Sequence, residues 1–171
     1  MNPICTVSDN FLSADDFSKI KDLMMGDWFP WFYNTGRVHS EDGEYQLTHT
    51  FYRDNMVKSD WFNHMNPILE KLDIVSLLRI KANLAPIDSE NKLSLFHKDG
   101  SHIRQVEEGD KNWFVSIFYI NTNDGYTAFQ DGTEIKSVAN RFVTFPAHVF
   151  HAGATCTDEN VRVLINLNYI T

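Results

Sequence analysis

Four side chains in the C-terminal half could do chemistry together: His97 and Asp99 in the run Leu95-Phe-His-Lys-Asp99, then His151 and Arg162. Two imidazoles and one carboxylate suit a mononuclear non-heme iron(II) centre that keeps coordination positions open, and the same donors also accept manganese or zinc. On a strand, residues i and i+2 face one side about 6.6 Å apart, so His97 and Asp99 at a strand end can converge on one ion. The third ligand must arrive from elsewhere, and His151 follows the apolar strand Phe142 to Phe145 and the Pro146 turn, just before Gly153. The planar guanidinium of Arg162 can grip a carboxylate through two parallel hydrogen bonds. Together the four suggest oxygen chemistry at iron with an acidic co-substrate.

Each residue also has a plainer reading. With seven His and fifteen Asp in 171 residues, roughly 0.6 His-x-Asp triplets are expected by chance, so the motif alone is weak. His39-Ser-Glu41 has the same form but lies in the polar stretch from Thr35 to Glu44, which reads as a loop. His148 competes with His151 from three residues away, while His49, His64 and His102 read as structural or surface histidines. Arg162 opens a strand in which Val161, Val163, Ile165 and Leu167 face one way and Arg162, Leu164, Asn166 and Asn168 the other. That second face is either an exposed edge or a polar interior.

These residues need a scaffold, and 171 residues at 43% hydrophobic and 13% aromatic are enough for one compact domain with a proper core. A formal charge of −8 and the lack of any basic run argue against nucleic acid as a partner. Residues 1–12 have no basic, apolar leader pattern, and no stretch of about 18 apolar residues occurs, so no membrane association is expected. Cys5 and Cys156 are far apart and outside metal-ligand spacing, which fits a reducing cytoplasm better than a disulfide framework.

The expected order is an early strand from Ile4 to Val7, then a helix capped at Ser13 with Asp16 three residues on and stopped at Gly26. A second helix between Ser59 and Leu72 is expected, with Pro67 a break or kink. Short strands follow at Val75 to Leu84, Leu93 to His97, Trp113 to Ile120, Tyr126 to Gln130, Glu134 to Val138, Arg141 to Phe145 and Val161 to Tyr169. This pattern predicts a mainly β, jelly-roll core over 75–171 on a helical support region over 1–74. Pro86 to Lys92 and Gly100 to Asn112 are long polar connections that could serve as binding loops. The aromatic run Trp28 to Tyr33 reads as core packing rather than a substrate groove.

From Arg79 to Tyr169 the chain resembles the iron(II)- and 2-oxoglutarate-dependent oxygenases, in their prolyl-hydroxylase-like branch. The resemblance rests on His97-x-Asp99, Ser116-Ile-Phe-Tyr-Ile-Asn121, Asp124-Gly-Tyr-Thr-Ala-Phe129, Arg141-Phe-Val-Thr-Phe-Pro146, His151-x-Gly153 and Arg162 in that order. It implies a double-stranded β-helix of the cupin-like, jelly-roll kind, with His97, Asp99 and His151 as the iron triad. It also implies Arg162 as the anchor of the distal carboxylate of 2-oxoglutarate, with Tyr119 and Thr127 as further co-substrate contacts. At Thr127 the run is Asp-Gly-Tyr-Thr where the family often has Gly-Gly-x-Thr. The implied activity is a dioxygenase: molecular oxygen and 2-oxoglutarate are consumed, a C–H bond is hydroxylated, succinate and carbon dioxide leave, and ascorbate is a candidate reductant. A protein or peptide side chain, proline foremost, is the first substrate expectation; a free amino acid or small metabolite is the second and nucleic acid the third. Two other readings remain in view: a jelly-roll binding domain without turnover, and a cupin-like metal enzyme that uses no 2-oxoglutarate.

Overall fold

The computed structural model describes residues 4–100, 107, 110 and 112–171. Strand β1 (Thr6–Ser8) leads into helix α1 (Ala14–Met25), then β2 (Phe32–Asn34), β3 (Gln46–Arg53) and β4 (Met56–Val57). A 3-10 turn (Phe62–Met65) and the short α2 (Asn66–Leu69) precede β5 (Ser76–Pro86), β6 (Trp113–Tyr119) and β7 (Tyr126–Phe129). The chain closes with β8 (Glu134–Lys136), β9 (Phe142–Pro146), β10 (His151–Gly153) and β11 (Val161–Ile170).

Two antiparallel sheets face each other. The major sheet runs β1-β9-β6-β11-β5-β3-β2, with β4 paired to β3, and the minor sheet runs β10-β7-β8. Two bridges, Leu93 to Ala154 and His97 to His151, lay the segment before Asp99 along β10 as a fourth, interrupted member of the minor sheet. The jelly roll expected from the sequence is therefore present, with core strands β5, β11, β6 and β9 opposite that segment, β10, β7 and β8.

Alternation along β11 sorts its side chains between two apolar clusters. Val163, Ile165 and Leu167 join Phe118, Phe51 and Ile80 on the outer face of the major sheet, where Ile20 and Met24 of α1 cover them. Leu164 instead joins Ile117, Tyr119, Phe129 and Phe145 between the sheets. Helix α1 begins as its sequence predicts, since the Ser13 side chain accepts the Asp16 N–H, and it ends at Gly26.

Other expectations change. The early strand lies at Thr6–Ser8 rather than Ile4 to Val7. The second helix is split: Pro67 at the start of α2 lacks the N–H that would continue the 3-10 turn into one helix. Leu93 to His97 is not a continuous strand, because the Ser94 hydroxyl accepts the Gly153 N–H at 3.1 Å in place of a backbone carbonyl. The first 74 residues, read as a helical support region, also supply β1 to β4, and β3 lies within the major sheet beside β5. Its register shift between Thr50 and Tyr52 disturbs the alternation that would have marked it in sequence. Of the aromatic run, Phe29 is buried and Trp31 packs on the core, but Trp28, Phe32 and Tyr33 are exposed.

Phe118 is fully buried where α1 meets the major sheet, against Phe11, Phe17 and Phe142. Phe118→Ala should cost about 3–5 kcal/mol of stability. Urea unfolding checks this, and a loss below about 1 kcal/mol would mean that the helix is not packed there.

Candidate active site

His97 and His151 exchange backbone hydrogen bonds, N–H of each to C=O of the other, at 2.9 and 3.0 Å. Directly opposed residues project to the same side of a sheet, and the two imidazole centroids lie 4.6 Å apart. Each ring is fixed through Nδ1, which donates to the carbonyl two residues earlier: Leu95 at 3.0 Å for His97 and Val149 at 3.3 Å for His151. That tautomer leaves both Nε2 lone pairs free, and both face Asp99, at 3.8 Å from Oδ1 and 3.9 Å from Oδ2. Among the described residues these three form the group that could hold a metal ion, with donor atoms within 4.8 Å of one another.

Asp99 is held from behind. Asn166 of β11 donates to Oδ2 at 2.5 Å, Arg79 of β5 lies 3.3 Å from Oδ1, and Arg79 and Asn168 both donate to the Asn166 side-chain oxygen. Burial pushes the Asp99 carboxyl up, but the Arg79 guanidinium, the two facing imidazoles and the Asn166 amide outweigh it and hold the group far below the ordinary carboxylate range. Burial brings the His151 imidazole down to about 4 despite the nearby carboxylate. A deprotonated carboxylate and a neutral imidazole are the forms a divalent metal requires. After Asp99 the chain turns at Gly100, where φ is +90° and a Cβ would stand 2.5 Å from Trp113.

Arg162 crosses from β11 to the minor sheet. Its Nε donates to Ser137 at 2.8 Å, and its Nη2 donates to the Tyr126 carbonyl and to Thr127 Oγ1, each at 3.2 Å. Tyr119 donates to the same Thr127 oxygen at 2.8 Å, and the guanidinium carbon stands 5.5 Å from the Tyr119 ring centre. Burial pushes the Tyr119 phenol up and the Arg162 guanidinium down, each toward its neutral form. The expected trio of Arg162, Tyr119 and Thr127 is thus assembled, but Thr127 and Arg162 line the cavity while Tyr119 sits behind them. Gly125 allows the crossing, since a Cβ there would lie 2.6 Å from Arg162 Cδ.

The two halves open onto one cavity of about 270 Å³. On the minor sheet His151 pairs with Phe129 and Gly153 with Thr127, so Thr127, which holds the arginine, stands one strand repeat along β7 from the residue opposite His151. Ile117 and Leu164 add apolar lining to the same cavity.

The remaining histidines separate. His49 is buried, bonded to the Pro30 carbonyl at 2.8 Å and to Ser59 at 2.7 Å, and so fills a structural role. His39 borders the cavity but neither it nor Glu41 joins the triad; His64 and His148 stand apart from it as well. His102 lies outside the described residues, as does most of the Gly100 to Asn112 connection.

Residues that sequence reasoning did not place in the site are Arg79, Lys81, Asn83, Asn166, Ser137 and Arg37. The signal for the first three was the polar alternation of β5, which a lone strand shares with any solvent-facing one. Arg37 had no local signal. It reaches the cavity because Asp42 folds the 35–44 loop, accepting the N–H groups of Arg37, Val38, His39 and Glu44. The Arg37 side chain then donates to the Gly153 carbonyl at 2.6 Å and pairs with Glu44 at 3.1 Å.

Sequence comparison matches no protein-family model and no curated protein. Solved structures match in fold. A collagen prolyl hydroxylase of Paramecium bursaria Chlorella virus-1, in a 2-oxoglutarate complex, is 12% identical over 99% of this chain and 97% of its own, with a TM-score of 0.63. A prolyl hydroxylase of Trichoplax adhaerens, bound to a peptide of hypoxia inducible factor, is 11% identical over 99% of this chain and 84% of its own, with a TM-score of 0.67. The non-heme alpha-ketoglutarate-dependent carbocyclase SnoK of nogalamycin biosynthesis is 9% identical over 98% of this chain and 79% of its own, with a TM-score of 0.71. The fold of this chain is that of the prolyl hydroxylases and other 2-oxoglutarate, iron(II) oxygenases.

Desolvation pushes the Asp42 carboxyl up, but four backbone N–H donors bring it down to about 2. A carboxyl depressed in the folded state contributes stability above its ordinary value near 4, and that contribution is lost as the pH falls towards 2. The stability gap between the native protein and Asp42→Asn should therefore narrow as the pH is lowered from 5 to 2.5. Urea titrations across that range measure it, and a constant gap would show that the charge of Asp42 does not hold the loop.

Proposed function

We propose that the protein is an iron(II)- and 2-oxoglutarate-dependent dioxygenase that hydroxylates a C–H bond. The observation that carries this reading is the pairing, in one cavity, of a two-histidine, one-carboxylate group with a buried guanidinium. The donors fit the metal: both imidazoles present Nε2, and the carboxylate is charged and oriented by Asn166. His97, Asp99 and His151 would hold iron(II), which with 2-oxoglutarate and oxygen supplies oxidation of a C–H bond to C–OH and releases succinate and carbon dioxide.

The protein's own part is placement. Arg162 keeps Nη1 without a hydrogen-bond partner among the described residues, while Nε and Nη2 are locked to the minor sheet. Nη1, with the Thr127 hydroxyl beside it, is the natural grip for the distal carboxylate of 2-oxoglutarate. Ile117 and Leu164 would pack its methylene groups and keep water from the middle of the cavity. Ascorbate is a candidate auxiliary reductant.

For the substrate, a peptide or protein side chain with proline foremost is supported by the fold shared with prolyl hydroxylases. A free amino acid or other small metabolite is the second reading, supported by the fold shared with a carbocyclase and by the small cavity. A cytoplasmic setting is supported by the free thiols Cys5 and Cys156, and no described helix is long and apolar enough to cross a membrane.

Succinate formation from 2-oxoglutarate, followed by NMR with iron(II) in air, tests the assignment even without the substrate, because slow uncoupled turnover needs only the co-substrates. Asp99→Ala should abolish it. Arg162→Gln should raise the half-saturating 2-oxoglutarate concentration about tenfold or more, as loss of a charged hydrogen bond of about 1.5–3 kcal/mol requires. An unchanged requirement would remove Arg162 from the co-substrate site, and full activity in Asp99→Ala would contradict the ligand assignment.

A further inference from the structure

Among the described residues, five Arg and Lys side chains line the cavity, Arg37, Arg79, Lys81, Lys98 and Arg162, against one carboxylate, that of Asp99. This lining is opposite in sign to the whole chain, whose formal charge is −8. Three of the five already have work: Arg162 at the minor sheet, Arg79 behind Asp99, and Arg37 with Glu44. Lys81 has none. It points inward from β5, in register with Asn166 of β11 and Thr50 of β3, and has no hydrogen-bond or ion-pair partner among the described residues.

Its neighbours on the same inward face of β5 also keep unmet polar atoms. The Asn83 side-chain oxygen and Arg79 Nε are buried without a hydrogen-bond partner. Buried polar groups normally find partners, and an isolated cation in a desolvated wall is costly, so such a row is a standing demand for an acid that also carries an N–H or O–H. Desolvation brings the Lys81 ammonium down to about 8, and Arg79 lowers it further while Asp99 offsets only part of the loss. Iron(II) and 2-oxoglutarate would not answer this demand, since their formal charges cancel.

We propose that the primary substrate is a small acid whose carboxylate or phosphate group binds Lys81, with the Asn83 side-chain oxygen accepting a hydrogen bond from the same molecule. This rests on the dioxygenase reading and narrows it. An internal peptide residue such as proline brings no charge to Lys81, whereas a free amino acid or a phosphorylated metabolite does. The cavity of about 270 Å³ must also hold 2-oxoglutarate, which favours a small molecule again.

The test is calorimetric titration of acetate and, separately, of inorganic phosphate into anaerobic protein saturated with iron(II) and 2-oxoglutarate, with glycerol as the neutral control. The visible charge-transfer band of the iron complex reports throughout that the co-substrate site stays filled. One anion should bind saturably without loss of the band, and which of the two binds more tightly identifies the oxyanion. Lys81→Met should weaken that binding at least tenfold, Lys81→Arg should restore most of it, and the 2-oxoglutarate requirement should move less than threefold in both. Absence of saturable anion binding, or equal binding in Lys81→Met, overturns the inference. A large rise in the 2-oxoglutarate requirement in Lys81→Met also overturns it, by assigning Lys81 to the co-substrate. If the band never forms in the native protein, the dioxygenase reading fails and this inference falls with it.

Discussion

The site depends on one backbone contact, the reciprocal hydrogen-bonded bridge between His97 and His151. It is one of two bridges that fasten the segment after β5 along the minor sheet, and it sets two imidazoles side by side without any direct bond between them. Asp99 follows two residues later and is caught by Asn166 from the opposite sheet. An amide of the major sheet thus orients a carboxylate on the minor-sheet side, so the separation of the two sheets bears on where Asp99 stands. The apolar cluster of Ile117, Phe129, Phe145 and Leu164 is what holds that separation.

The inner surface is divided along the strands. Toward β6 and β9 it is apolar and closes the sandwich; toward β3 and β5 it is polar and cationic and opens on the cavity. This division explains why Arg162 can be buried at all. Its charge is met by Ser137, Thr127 and the Tyr126 carbonyl, so the guanidinium is rigid before any ligand arrives. A preordered fork loses less freedom on binding a carboxylate than a solvated one would. The same economy does not extend to Lys81, which has no hydrogen-bond or ion-pair partner among the described residues.

Much of this was legible in the sequence wherever the signal was local. The Ser13 cap, the Gly26 stop and the two-faced pattern of β11 are short-range properties, and the structure follows them. The triad and the Arg162 cluster were legible only as an ordered set, because a single His-x-Asp pair has a high chance frequency. What stayed hidden was set by long-range pairing. Strand β3 carries Gln46, Thr48, His49 and Thr50, which read as polar loop until a neighbouring strand supplies the ladder. Arg79, Lys81 and Asn83 resemble a solvent-facing row until the minor sheet is folded over them, and Arg37 enters only through the loop that Asp42 ties.

The central claim is that His97, Asp99 and His151 hold iron(II) in a cavity where 2-oxoglutarate completes the site. Anaerobic titration of the purified protein with iron(II), then with 2-oxoglutarate, tests it most directly. The expected result is one iron per chain and a weak visible metal-to-ligand charge-transfer band that needs both additions and disappears in Asp99→Ala. A folded protein that binds the metal yet gives no band with 2-oxoglutarate, or an Asp99→Ala variant that retains the band, would contradict it.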